Sequence, residues 1–123
     1  MIQAFQNKIG KEIEKLSSEF SLSPFELYEP ARYMLSLGGK RLRPVFVLTA
    51  CDLFGGTIED AVPAALAIEL FHNFTLVHDD IMDNAPLRRN QPTVHHKWNN
   101  NTAILSGDVI LVKAYQLLSK SEL

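Results

Sequence analysis

AVPAALAIELFHNFTLVHDDIMD, residues Ala61 to Asp83, is apolar for most of its length and ends abruptly in acid. Its apolar residues follow helical rather than alternating spacing, which predicts one long helix from about Ala61 to Asp83, stopping before Pro86. Thr57 or Asp60 is placed to cap its start, with Pro63 tolerated in the first turn. At its far end Asp79, Asp80 and Asp83 share a face, because residues three and four apart are helical neighbours. They also crowd the C-terminus of the helix, where the macrodipole disfavours negative charge. Repulsion and dipole each cost on the order of a few tenths of a kcal/mol or more. A hard divalent cation offsets both, and Mg²⁺ favours carboxylate oxygen while keeping positions open for water or phosphate. A solvated acidic turn is the alternative for three carboxylates taken alone. An EF-hand is excluded, since its alternating ligands and turn glycine are missing.

Two basic clusters flank this stretch. Downstream, Arg88-Arg89 in a loop suits forked binding of phosphate oxygens, or else an ion pair with the nearby aspartates. Upstream, GGKRLRP, residues Gly38 to Pro44, ends one helix on glycines, places three bases in a row of four residues and opens another helix on proline. Backbone amides at such a helix start, with Lys and Arg beside them, form an anion pocket. Walker spacing is missing, which excludes a P-loop triphosphatase. Among the histidines, adjacent His95 and His96 point to different faces and are poor joint ligands. His78 beside Asp79 matches the His-Asp pair of metal-dependent phosphohydrolases, yet only His72 precedes it where such sites need several upstream histidines. His72 lies nearly two turns before the acids and can face the same mouth.

The remaining chain is also helical. Phe5, Ile9, Ile13, Leu16 and Phe20 form an apolar stripe on an opening helix. Ser23-Pro24-Phe25-Glu26 marks a second helix start with Ser23 as its cap, and Pro30 is expected to restart or kink that helix. Pro44 opens a third helix that runs to Gly55-Gly56. Leu87 to Pro92 reads as a loop and Thr93 to Trp98 as a short helix. Asn99 to Asn101 form a turn before a last helix near Thr102. That helix carries Ile104, Leu105, Ile110, Leu111, Tyr115 and Leu118, and reaches Leu123 uncapped. Its broad apolar faces suggest a truncated chain in need of partners.

Composition bounds the rest. The 123 residues suit one all-α domain, 46% are hydrophobic and 21% charged, and the net charge of −2 exerts no general pull on nucleic acid or anionic membranes. Cys51 has no internal disulfide partner and reads as a small buried hydrophobe in a reducing, cytoplasmic setting. No signal sequence is apparent, and Asp52 and Glu69 interrupt the longest apolar runs, so no transmembrane helix is expected.

GGKRLRP, His72, DDIMD and LRR, in this order and spacing, closely resemble the trans-isoprenyl diphosphate synthases (the polyprenyl synthetase family). The likeness extends over roughly Ala31 to Ala114, including PTVHHKW and SGD. It implies the N-terminal part of the isoprenoid synthase helical bundle, as a single domain over residues 1–123. It further implies that Asp79, Asp80 and Asp83 are catalytic and bind Mg²⁺ bridging to an allylic diphosphate, which Arg88 contacts. Lys40, Arg43, His72 and Arg89 are implied to hold the second substrate, isopentenyl diphosphate. The family joins the two head to tail: diphosphate departs, the isopentenyl double bond attacks the allylic cation and a proton is lost. Thr75 and Phe74, four and five residues before the first aspartate, are implied to floor the chain pocket. Phe74 lies about 7 Å along the helix axis from Asp79. One aromatic beside a small Thr resembles short-chain synthases making farnesyl or geranylgeranyl products, with geranylgeranyl favoured. A cytoplasmic homodimer is expected.

Two departures stand out. The family usually has glycine near Asn99, and it needs a second aspartate-rich motif on a later helix, which these residues lack. The expectation is therefore an N-terminal fragment without activity of its own. The other reading is a non-catalytic helical interaction subunit of a prenyltransferase.

Overall fold

The computed structural model describes residues 1–21 and 24–121. Six α-helices follow one another: α1 (Ile2–Ser18), continued by a 3₁₀ turn at Glu19–Ser21, then α2 (Phe25–Ser36), α3 (Leu42–Leu53), α4 (Ile58–Met82), α5 (Val94–Lys97) and α6 (Asn100–Ser119). Between α4 and α5 lies a small antiparallel hairpin of β1 (Leu87–Arg88) and β2 (Gln91–Pro92). The all-α expectation holds, with that hairpin standing where a loop was expected.

Helix α4 is the axis of the fold. Leu66, Leu70, Asn73, Val77 and Asp80 are buried along it, at alternating four- and three-residue steps that keep one stripe turned inward. Val62, Ala65, Ala67 and Glu69 are buried as well, so α4 is enclosed on more than one side. It packs most extensively on α6 and next on α3, and Ala103, Ile110, Ala114 and Leu117 of α6 and Leu48 of α3 are buried in the same core. From α1, Ile9, Ile13 and Leu16 join the core with Phe20, and Phe5 packs against its edge, as the opening stripe implied.

Several boundaries differ from the sequence reading, each for a local reason. Helix α4 starts at Ile58, with Thr57 at the cap position but no side-chain cap bond. Pro63 therefore lies beyond the first turn, and the helix runs through it. The carbonyl left unmatched by Pro63 belongs to Glu59, an exposed residue in the first turn of α4. Helix α2 passes through Pro30 without restarting, and Pro30 is fully buried, so packing offsets the missing hydrogen bond. The expected cap Ser23 lies outside the described residues. Helix α3 begins at Leu42, which puts Pro44 inside its first turn, where the absent N–H costs nothing.

It ends as expected at the glycine pair. Gly55 has φ +77, its amide donates to Asp52 O at 3.0 Å, and Gly56 N donates to Cys51 O at 2.9 Å. Asn99 caps α6, its Oδ1 accepting from Thr102 N at 2.8 Å, so the asparagine run is a cap and first turn. Cys51 is half-buried rather than buried.

Apolar side chains remain exposed along α4 and α6, among them Ile68, Phe71, Leu105, Val112 and Tyr115. No helix among the described residues is long and apolar enough to cross a membrane.

Leu70 is 0% exposed and Tyr115 64% exposed, which separates core from surface in a single measurement. Leu70→Ala is expected to lower urea-unfolding stability by about 2–5 kcal/mol. Tyr115→Ala is expected to change it by no more than about 0.5 kcal/mol.

Candidate functional site

The acidic end of α4 is shaped by how the helix stops. Asn84 adopts φ +52, its amide donates to Ile81 O at 3.2 Å, and Ala85 N donates to Asp80 O at 2.9 Å. This is the glycine-type helix stop with asparagine in the left-handed position. The three carboxylates do not share one environment, contrary to the common face expected. Asp80 continues the buried stripe, whereas Asp79 and Asp83, four residues apart, are exposed.

Burial of Asp80 demands a partner, and the hairpin supplies one. Arg88 Nε donates to Asp80 Oδ2 and Nη2 to Oδ1, both at 2.8 Å, in a forked pair. That pair pushes the Arg88 pKa up, against the effect of its own partial burial. Two of the five guanidinium N–H groups are used, and three stay available. The carboxylates of Asp79 and Asp83 accept no hydrogen bond or ion pair among the described residues. No group of three or more His, Cys, Asp or Glu there is arranged to hold a metal by itself. What is present fits Mg²⁺ in another way: two outward, acceptor-only carboxylates on one helical face, with room for phosphate oxygens and water.

A second feature lies beside it. Gly38, Gly39, Lys40, Arg43, His72 and Arg89, together with Arg41, Glu69 and Asn73, line one cavity of about 230 Å³. Lys40, Arg43, His72 and Arg89, drawn from three separate stretches, thus meet around a single space. Arg43 Nη1 lies 3.3 Å from His72 Nε2. A guanidinium only donates, so Nε2 accepts and a neutral His72 carries its proton on Nδ1. Burial, and then the charge of Arg43, lower the His72 pKa and favour this neutral form.

Arg89 reaches the cavity because of backbone geometry. It and Asn90 have φ +51 and +64, the conformation of a tight two-residue connection between β1 and β2. Arginine is a poor turn former, which is why this segment read as loop. A β-carbon on Gly39, at φ +145, would stand 3.0 Å from Arg89 Nη2, so glycine there leaves space for the guanidinium. Tyr33 Oη anchors the return strand, donating to Pro92 O at 2.7 Å.

Of the chain-floor candidates, Phe74 lies beside His78, which packs against α6. Phe74 packs on His78 at 4.6 Å and on Phe71 at 5.8 Å between ring centroids. Thr75 turns its hydroxyl to His72 O at 2.6 Å. His78 lies over Gly107, where a β-carbon would come within 2.7 Å of its Nε2, so it is a packing residue between α4 and α6. Sequence reasoning passed over Glu69, Asn73 and the inward role of Arg41. The available signal was a glutamate inside an apolar helical run, three residues before His72.

Fold and site together define an all-α bundle with a basic cavity near an acidic helix end, and the family follows from comparison. The chain belongs to the polyprenyl synthetase family, whose profile matches residues 24–123, a wider span than the motifs alone mark. It is 50% identical over 99 residues to the geranylgeranyl diphosphate synthase of Methanosarcina mazei, covering 80% of this chain and 31% of that one. It is 46% identical over 121 residues to the geranylgeranyl diphosphate synthase of Saccharolobus solfataricus, covering 98% and 36%. Among solved structures, the geranylgeranyl pyrophosphate synthetase of Geoglobus acetivorans superposes with a TM-score of 0.93 at 44% identity, covering 98% of this chain and 39% of that one. The chain thus spans about a third of the length of these relatives.

Asp80 keeps 8% of its side-chain exposure. Arg88→Met is expected to destabilise the fold by about 3 kcal/mol in chemical denaturation, because it strands a buried carboxylate. Adding Asp80→Asn to Arg88→Met should recover part of that loss.

Proposed function

We propose that this segment is the substrate-diphosphate wall of a short-chain prenyltransferase that joins isopentenyl diphosphate to an allylic diphosphate, with geranylgeranyl diphosphate as product. It forms the N-terminal part of one helical domain, in a protein that works in the cytoplasm as a homodimer. The observation that carries the reading is the cavity where Lys40, Arg43, His72 and Arg89 converge, next to the acidic end of α4. Two phosphate grips and a carboxylate pair so close together suit two diphosphates and the charge that develops on one of them.

On this reading Lys40, Arg43 and Arg89 bind the isopentenyl diphosphate by charge, and His72 donates from Nδ1. Asp79 and Asp83 would hold Mg²⁺, which would supply charge neutralisation at the allylic diphosphate. Asp80 fixes the Arg88 guanidinium, whose three spare N–H groups face the leaving oxygens. Phe74 and Thr75 line the apolar floor against which the growing chain ends, and apolar walls keep water from the cation. The identities of 44–50% to geranylgeranyl synthases support the product assignment.

Calorimetry of inorganic pyrophosphate with the 123-residue chain tests the site. Binding is expected to strengthen with Mg²⁺, and Asp79→Asn/Asp83→Asn should remove that enhancement while leaving the fold intact by circular dichroism. A folded parent chain that ignores pyrophosphate with and without Mg²⁺ sinks the proposal and leaves the interaction-subunit reading. The floor role has its own test. In the synthase that carries this segment, Phe74→Ala is expected to yield longer prenyl products, and products no longer than the parent's remove that role.

A further inference from the structure

Arg41 is the middle base of Lys40, Arg41 and Arg43, yet its charge is turned inward. Its Nη1 donates to Glu69 Oε2 and its Nη2 to Leu35 O, each at 2.9 Å. The two charged side chains keep only 10% and 5% of their exposure. Its backbone has φ +55 at the cap of α3, a conformation that a residue with a β-carbon keeps only where its surroundings hold it. One guanidinium therefore ties the end of α2, the start of α3 and the middle of α4. Gln6 Nε2 adds a fourth tie from α1, donating to Lys40 O at 2.9 Å.

Glu69 explains why a charge is needed there. It lines the same cavity as Lys40, Arg43, His72 and Arg89, one helical turn from His72. An unmatched carboxylate in that wall would repel any anion entering, and with little solvent around it the repulsion would be poorly screened. Asn73 Nδ2 bonds the backbone carbonyl of Glu69 at 2.8 Å and leaves the carboxylate itself to Arg41.

We infer that Arg41 is a positioning residue rather than an anion ligand: by pairing with Glu69 it holds Lys40 and Arg43 at the cavity and cancels the one negative charge in its wall. The inference rests on the reading of this cavity as a diphosphate site.

A charge-specific cycle tests it, using calorimetry of inorganic pyrophosphate with the parent chain, Arg41→Met, Glu69→Gln and the double variant, each checked for folding by circular dichroism. Arg41→Met is expected to bind about tenfold or more weakly, because Glu69 is left bare. Glu69→Gln is expected to bind more tightly than the parent, and the double variant should regain most of what Arg41→Met loses. A steric strut alone predicts no such rescue. Parent-like binding by Arg41→Met, or a double variant as weak as Arg41→Met, overturns the inference while the cavity reading stands. If Arg41→Met does not fold, Glu69→Gln decides: tighter binding supports the inference and equal or weaker binding overturns it. A parent chain that does not bind pyrophosphate overturns the cavity reading, and this inference with it.

Discussion

Helix α4 is buried on several sides, and that burial fixes its rotation about its own axis. With Leu66, Leu70, Asn73 and Val77 turned inward, the direction of every other α4 side chain is set. Asp80 falls on the inward stripe and Glu69 beside it, so two carboxylates enter a region that cannot leave them unmatched. Each is met by an arginine from outside the helix, Glu69 by Arg41 and Asp80 by Arg88. The two segments that bring those arginines, the α2–α3 junction and the β1–β2 hairpin, also carry Lys40, Arg43 and Arg89. Neutralising the core and building the cavity are therefore one structural event.

The loops accept backbone strain to do this. Among the described residues, the non-glycine positions with positive φ are Arg41, Asn84, Arg89 and Asn90. All four lie in the connections that surround the basic cavity and the acidic helix end. Asn84 and Asn90 are residue types that tolerate the left-handed region, but Arg41 and Arg89 are not. Arg41 is held by its bonds to Glu69 and Leu35, and Arg89 by the hairpin that Tyr33 anchors. Strain concentrated where charged side chains must be aimed is the pattern expected of a preorganised site.

The three aspartates illustrate how one motif divides its labour. Read along the sequence they are equivalent acids on one helical face. In the fold, Asp79 and Asp83 face outward while Asp80 is the anchor of Arg88. The exposed pair accepts no hydrogen bond from the described residues, and the buried member holds the Arg88 guanidinium. The acidic cluster and LRR are thus one unit, joined by the Asn84 helix stop and the β1–β2 hairpin.

By itself the sequence determined what depends on neighbours a few positions apart. Helical periodicity, the glycine stop at Gly55-Gly56, the grouping of Asp79, Asp80 and Asp83, and the basic run from Lys40 to Arg43 are all local patterns, and each was legible. Pro63, and the restart expected at Pro30, misled because a proline's local penalty says nothing of the packing or exposure that offsets it. The hairpin was hidden because Arg89 adopts a turn conformation its residue type disfavours, under contacts distant in sequence. Only the tertiary structure decided which aspartate is buried, which arginine turns inward, and that Lys40, His72 and Arg89 share a cavity. Those outcomes follow from the rotation of α4 in its packing against α3 and α6, which no stretch of sequence records.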